Sequence, residues 1–368
     1  MKRLIKFTLT ILFTLIVSIG YSQINRKQIK RNNKAMANFK GKKNGFTEQK
    51  RYYYLSVGIN TMNYFGDIAP KSSIGSTKIS STRPGFTAAF GYRIGPRYTI
   101  QASLSYGTLF SDDNVAADPT GENSNYRYKR NLHFRNNITE LAVVGIFDLF
   151  QNQGSYLSRV QLTPYAILGI AGFYHNPKAI APETSGSTGV ALPEAGQWVA
   201  LRPLGTEGQY ADLLPTDGNF GIEPYSLWQV SIPFGLGVRY RLGEALDISF
   251  DITFRYLFFD YIDDISRNYV DLDVLDSDLA RAMSDRSMEA TAAKSGNDRS
   301  QYISGWDTDP YTGRDEVVSY VTVNGFGQEG GEGFPNVRGG ANDNDIYYVT
   351  SIKVSYILGS SFRRAKFR

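Results

Sequence analysis

The chain has 368 residues, with 40 Lys and Arg against 35 Asp and Glu, no cysteine, and aromatic side chains at 14%. The missing cysteines exclude a disulfide framework, a thiolate nucleophile, a thiolate zinc site and an iron–sulfur cluster, and only His133 and His175 are left for imidazole chemistry. With 25 Tyr and 36 Gly, the balance favours tightly packed β-structure over an enzyme, and the meaning of the +5 net charge depends on where the charges lie.

Lys2, Arg3 and Lys6 precede an apolar run from Phe7 to Val17, and Gly20 and Ser22 come just before Gln23. A basic end, an apolar stretch of about 7–15 residues and a small-residue cleavage site make residues 1–22 a secretory signal peptide. The run is too short for a spanning helix, which needs about 20 residues. No cysteine follows the cleavage site, so a lipoprotein is not expected. Residues 23–51 then carry Arg26, Lys27, Lys30, Arg31, Lys34, Lys40, Lys42, Lys43, Lys50 and Arg51 against Glu48 alone. Such a segment buries too little apolar surface to fold by itself, so a basic periplasmic arm is expected. Its first eight cations are the candidate contacts for an acidic partner or anionic headgroups, and a plain solubilising leader is the bland alternative.

No second helical span follows. From Leu55 the pattern has period 2, which marks strands. Leu55, Val57 and Ile59 alternate with Ser56, Gly58 and Asn60, and Phe86, Ala88, Phe90 and Tyr92 alternate with Thr87, Ala89, Gly91 and Arg93. A third segment sets Ile100, Ala102 and Leu104 against Gln101, Ser103 and Ser105, and a fourth sets Leu141, Val143 and Phe147 against Glu140 and Asp148. The fifth, 163–173, is apolar on both faces, so its facing stays open. The sixth (230–242), seventh (246–258) and eighth (346–358) alternate most clearly, large apolar against Gly, Ser, Asp, Arg and Lys. Segments of about ten alternating residues are the signature of a membrane barrel.

The connections after the second, fourth and sixth segments are short: Gly95–Arg97, Gln151–Arg159 and Gly243–Ala245. The other four, about 65–82, 111–131, 175–226 and 260–345, are long. Short periplasmic turns and long outer loops belong to outer-membrane barrels. The expected fold is therefore all-β: an eight-stranded antiparallel transmembrane outer-membrane β-barrel over 52–358. Both termini, including a basic tail at 359–368, are expected in the periplasm. Tyr92, Tyr98, Tyr240 and Tyr356 should form one interfacial girdle, and Phe110, Phe258 and Tyr348 the other.

Eight strands enclose a space that side chains fill, so no open channel is expected. The inward charges should be Arg93, Glu140, Arg239, Arg241, Asp247, Asp251, Arg255 and Lys353, forming a structural network because unpaired buried charge is costly. In it Arg241 should face Asp247, with Arg239 diagonal to Asp247 and Asp251. His133 and His175 fall at neighbouring outer strand ends, where a lipid-modifying acyl hydrolase would need a serine beside them. Ser155 and Ser158 lie at the opposite end and no nucleophile elbow occurs, so two satisfied surface histidines are expected and no catalytic residue. The run Asp260, Asp263, Asp264, Asp271, Asp273, Asp276 and Asp278 lacks calcium-loop spacing and reads as a solvated acidic loop, with a short helix within 276–293. The glycine-rich 325–333 follows no strand-to-helix pattern and is not a phosphate loop. No cofactor is implied.

Several long motifs occur in one order: TPYAILGIAGFYHNP at 163–177, WVALRPLGTEGQ at 198–209, IPFGLGV at 232–238, RYLFFDYIDD at 255–264 and RGGANDNDIYY at 338–348. In these the chain resembles the PorG-like outer-membrane barrels of Bacteroidota over about 52–358. The arm and the last loop look longer than usual for that family. The resemblance implies an outer-membrane component of the type IX secretion and gliding machinery, contacting the periplasmic ring of a PorK-like lipoprotein and a PorN-like protein. The expectation is thus a non-enzymatic barrel in the lipid bilayer that anchors such an assembly. The alternative is a surface barrel whose outer loops contact a ligand or a neighbouring outer-membrane protein. Charge agrees with a periplasmic message: the arm carries +9 and the tail +4, whereas 52–358 carries −11. Nucleic acid is not an expected partner of an exported chain.

Overall fold

The computed structural model describes residues 46, 50–68, 81–120, 125–185, 188–215, 217–287, 289–303, 337–341 and 344–358. The signal peptide, the eight candidate arm cations Arg26 to Lys43, the glycine-rich 325–333 and the tail lie outside the described residues.

Eight long strands carry the fold: β1 (Tyr52–Phe65), β2 (Arg83–Arg93), β3 (Tyr98–Asp112), β4 (His133–Asp148), β5 (Leu162–Tyr174), β8 (Trp228–Arg241), β9 (Leu246–Leu257) and β10 (Ile346–Leu358). Two short strands between β5 and β8, β6 (Pro177–Ile180) and β7 (Trp198–Ala200), extend the wall beside β4 through the pair Arg135 and Lys178. Every long strand is antiparallel to two neighbours, and β1–β10 and β3–β4 pairing closes the ring. Closure leaves none of the unpaired edges that lipid cannot satisfy.

Local chemistry explains the turns. Ile94 and Gly95 N–H groups both donate to the Tyr98 carbonyl, at 3.0 and 3.2 Å, around Pro96. Leu242 and Gly243 do the same to Leu246, at 3.0 and 3.1 Å. These tight links and the 149–161 connection define a short-turn end, and the long connections meet at the other.

The alternation resolves as inside and outside. Leu55, Val57, Ile59, Phe86, Leu104, Leu141, Leu236 and Ile352 stand exposed on the outer wall. An apolar surface this continuous exceeds what a soluble protein leaves in water and is a lipid-facing belt. Inside, small hydroxyls pair across strands: Ser56 with Ser355 at 2.7 Å, Thr87 with Ser105 at 3.1 Å, and the Asn60 amide with Thr87 at 2.7 Å. The segment whose facing was open points Thr163, Tyr165, Ile167, Ala171 and Phe173 inward, with Leu168 and Ile170 outward. Its inner face is apolar because it packs on Ala142, Val144 and Ile146 of β4.

The glycines admit two inward tyrosines. A Cβ on Gly91 would meet the Tyr54 ring at 2.0 Å, and one on Gly237 would meet the Tyr165 ring at 2.5 Å. Both are register pairs, Tyr54 with Gly91 and Tyr165 with Gly237. An aromatic lying over a cross-strand glycine fills the lumen without spreading the strands.

Toward the long-loop end the interior turns apolar. Met62, Leu109, Phe134, Ile138, Phe173, Leu257, Tyr347 and Val349 from the wall pack against Ile262 and Ile265 from the connection after β9. The small polar lining expected throughout therefore stops partway, because the strands run on into a cap of loops that keeps their ends dry. Phe110, expected in a lipid girdle, is drawn under this cap at 6% exposure, with Arg83 and Lys294 over its ring at 4.6 and 4.7 Å. Tyr98, Tyr240, Tyr356 and Phe258 are exposed as girdle residues should be.

Candidate functional site

The lumen holds its charges in a graded order. Near mid-barrel, Arg255 of β9 grips Glu140 of β4 across the interior, Nη2 to Oε1 at 2.7 Å and Nε to Oε2 at 3.0 Å. The Tyr347 hydroxyl donates to Glu140 Oε2 at 2.9 Å. Lys353 Nζ meets Asp251 Oδ2 at 2.5 Å, Ser351 donates to the same oxygen at 2.8 Å, and Tyr165 donates to Oδ1. Each of these two carboxylates thus has one cation and hydroxyl donors around it.

At the short-turn end the count changes. Asp148 takes two arginines, Arg93 Nη1 at 2.6 Å and Arg239 Nη2 at 3.0 Å. Asp247 is claimed by Arg159, at 2.7 Å. Arg241, although in register with Asp247, donates instead to the carbonyls of Leu157, Gly243 and Arg159, at 2.8, 3.0 and 3.1 Å. The Arg241–Asp247 pair expected from the hairpin is therefore replaced, because Arg159 folds inward from the 149–161 connection and reaches the carboxylate first. Arg239 likewise turns to Asp148. Four arginines face two aspartates here, so this mouth carries a cationic excess. Voids of about 20 and 10 Å³ remain between these side chains, each room for about one water. The interior is packed.

The long-loop end is closed by polar clamps. Arg130 pairs with Asp113 through Nε and Nη2, both at 2.8 Å, and donates to the Arg338 and Asp67 carbonyls. Arg338 pairs with Glu207 at 2.9 Å and donates to the Asp264 and Ser284 carbonyls. Glu207 also accepts from Ser266 N–H, Arg267 N–H and the Tyr261 hydroxyl. One arginine from the last connection thereby ties the loops after β7 and β9 together. The helix expected within 276–293 is α1 (Asp278–Ser284), capped by the Ser277 hydroxyl on Ala280 N–H at 3.1 Å.

Both histidines belong to this cap, and neither lies at the surface. His133 is 3% exposed, and its Nε2 accepts from Ile180 N–H at 3.0 Å, since β6 folds back over it. His175 is fully buried between Tyr225 and Phe259, with Nε2 3.1 Å from the Ser226 carbonyl and Nδ1 3.4 Å from the Asn136 amide. Burial holds the His175 imidazole down at about 4. No serine hydroxyl is bonded to either ring among the described residues; the ring partners are the Ile180 N–H, the Ser226 carbonyl and the Asn136 amide.

The acidic run is also corrected in part. Asp271, Asp273 and Asp276 are exposed, but Asp260, Asp263 and Asp264 are buried in the cap. Tyr64 of β1 donates toward Asp263 Oδ2 at 2.6 Å and Asp345 Oδ1 at 2.7 Å. Asp264 accepts from the Thr206 and Tyr225 hydroxyls, both at 2.6 Å. Burial pushes the Asp260 carboxyl up to about 9, with the charges of Asp67 and Asp263 adding to it, and Asp263 and Asp345 are held well above the carboxylate range for the same reasons. Sequence spacing could not show this group, because Asp67 comes from the connection after β1 and Asp260 and Asp345 from opposite ends of the long connection between β9 and β10. Among the described residues, no three His, Asp or Glu side chains stand ready as a metal cluster.

The family described as Domain of unknown function (DUF6089) matches residues 45–191, less than half of the chain. No curated protein sequence matches. Solved structures similar to this chain include Ail, the attachment invasion locus protein of Yersinia pestis, at 7% identity and TM-score 0.33 over 84% of this chain and 99% of that one. OprG of Pseudomonas aeruginosa is similar at 7% identity and TM-score 0.34, over 86% and 99%. Neisserial surface protein A is similar at 9% identity and TM-score 0.31, over 83% and 96%. At such values the barrel assignment rests on the strand ladder and the apolar belt of this chain itself.

Proposed function

We propose that this protein is a non-enzymatic outer-membrane barrel that anchors or organises a periplasmic assembly, the type IX protein secretion machinery of Bacteroidota. Its short-turn end and both termini face the periplasm. The observation that supports this most is the distribution of charge. Four arginines meet two aspartates at the short-turn mouth, the same end at which the basic segment 23–51 leads into Tyr52. A filled lumen offers no route for a solute, so recognition falls to the ends. The partners in this reading are the periplasmic ring proteins, PorK-like and PorN-like, met through Arg26, Lys27, Lys30, Arg31, Lys34, Lys40, Lys42 and Lys43, with the bilayer around the belt.

The test is deletion of residues 24–50 behind an intact signal peptide, followed by crosslinking in native membranes and mass spectrometry. Loss of ring-protein crosslinks with the barrel still in the outer membrane is the expected result. Unchanged crosslinks and unchanged secretion would refute arm docking. One observation favours a second reading. Tyr210, Leu214 and Phe220 stand exposed on the connection before β8, as an outer-loop contact surface would require. In that case, trimming 205–226 is the damaging change and the arm deletion is silent.

A further inference from the structure

Two connections converge above the apolar stopper, bringing Asp67 (after β1) together with Asp260, Asp263 and Asp345 (from the two ends of the connection between β9 and β10) into one largely buried group. No ion pair reaches these four among the described residues, since Arg130 is taken by Asp113 and Arg338 by Glu207. Two of the four are saturated. Asp263 and Asp345 share the Tyr64 hydroxyl, and their other oxygens accept the N–H groups of Ile265 at 3.0 Å and Ile262 at 2.9 Å.

The other two are open. Asp67 Oδ1 accepts Gly340 N–H at 2.9 Å, but its Oδ2 is buried with no hydrogen-bond partner. Asp260 is 6% exposed, and neither of its carboxyl oxygens has a partner in full hydrogen-bond geometry, although the Ser266 side chain acts on it as a donor. An isolated carboxylate is among the costliest groups to bury and persists only when paired, metal-bound or protonated. Asp67 N–H donates at 3.0 Å to the same Tyr64 hydroxyl that meets Asp263 and Asp345, and Asp67 Oδ2 crowds Gly339 beside the Ser266 N–H of the connection after β9. Asp67 is also the strongest like charge acting on Asp260.

We propose that the cap binds one hydrated divalent cation, Mg²⁺ or Ca²⁺, between the carboxylates of Asp67 and Asp260. Such cations are commonly held by one or two carboxylates, with water completing the shell, which suits a site with two free carboxylates and no third. The ion bridges the connection after β1 to that after β9. It thereby adds a side-chain tie to the one that Arg130 makes between the same two connections through the Asp67 and Arg338 carbonyls.

The test uses the full-length chain folded in detergent micelles, with heat-modifiable gel migration as the check on barrel formation. Tb³⁺ is the probe, excited through nearby tyrosines such as Tyr64 and Tyr261. Saturable luminescence displaced by excess Ca²⁺ or Mg²⁺ is expected, and whichever ion competes at lower concentration identifies the occupant. Asp260→Asn and Asp67→Asn should each weaken Tb³⁺ affinity at least tenfold, whereas Asp271→Asn, on the exposed part of the acidic run, should not. Added Ca²⁺ or Mg²⁺ should also slow proteolysis of the cap in the unaltered chain but not in Asp260→Asn. The proposal is overturned if luminescence is absent, or is unaffected by Asp260→Asn and Asp67→Asn. It is equally overturned if Asp260→Asn alone gives full cap protection without added metal and the unaltered chain gains nothing from metal. That last result would mean that protons neutralise the group.

Discussion

Replacing Glu140 by Ala removes the carboxylate that holds Arg255 and leaves a guanidinium inside a packed barrel. Arg255 would keep its bonds to Thr253 but lose both of its contacts to Glu140. Breaking one side of a buried ion pair costs about 3–5 kcal/mol. Tyr347, whose hydroxyl donates to the same carboxylate, would lose its acceptor, adding about 1–3 kcal/mol. A loss of about 4–6 kcal/mol follows, since the two costs overlap. Replacing the whole group by apolar residues, Glu140→Leu with Arg255→Met and Tyr347→Phe, removes the unpaired charge and should restore stability to within about 2 kcal/mol of the parent. The assay is reversible urea or guanidinium unfolding of the barrel in lipid, with folded fraction read by heat-modifiable migration. A cost below about 1 kcal/mol for Glu140→Ala is the value of a solvent-exposed pair. It would show that water reaches the mid-lumen, refuting the sealed interior.

Leu168 lies on the outer wall at 64% exposure, so Leu168→Arg should cost about 2–4 kcal/mol in a bilayer, read by the same unfolding assay. A neutral result would mean that this face is wet. Gly237→Ala places a methyl 2.5 Å from the Tyr165 ring and should destabilise by about 1–3 kcal/mol through overpacking; Gly172→Ala, with nothing within 4 Å, should be silent in the same unfolding series. His175, held at about 4 in the cap against about 6.5 in an unfolded chain, binds fewer protons folded than unfolded between those values. Its stabilisation is thus present above pH 6.5 and lost as pH falls toward 4, about 3 kcal/mol in full. Comparing cap hydrogen exchange in the parent and in His175→Phe at pH 7 and pH 4.5 isolates that term, and equal pH sensitivity in the two proteins would refute it.

Strand number, facing and connection lengths were legible in the sequence because a lipid belt over a narrow lumen imposes period 2 on every segment, as in Val230 to Leu242. The fifth strand hid its facing because both of its sides are apolar, one toward lipid and one toward Ala142 and Val144. The inward side of each lumen charge was legible from alternation, but its partner was not. Arg159 lies in a connection without period, and only its fold inward from 149–161 diverts Asp247 from Arg241. The cap was the least legible part. Local composition makes Asp260, Asp263 and Asp264 look solvated, and His133 and His175 look superficial. Their burial depends on β6, on the connection before β8 and on Arg338, which lie at sequence distances that no local pattern spans.

Sealing decides where this barrel can act. An eight-stranded ring is narrow, and here the remaining width is taken by Tyr54 and Tyr165 over their glycines and by the Arg255–Glu140 clasp. Above them, the stopper around Ile262 and Ile265 closes the mouth from the loop side. Among the described residues these side chains fill the lumen from wall to wall, so the two ends act as separate surfaces joined by the barrel wall. They also differ in the groups they gather. Unpaired buried carboxylates gather at the capped end, whereas arginines outnumber aspartates at the short-turn end. A wall that keeps these ends apart across a membrane fixes the orientation of whatever binds each of them, which is the physical requirement for an anchor. In the proposed cation site, the capped end is the one that takes a small cation. In the proposed function, the arginine-rich end is the one that meets an acidic protein surface.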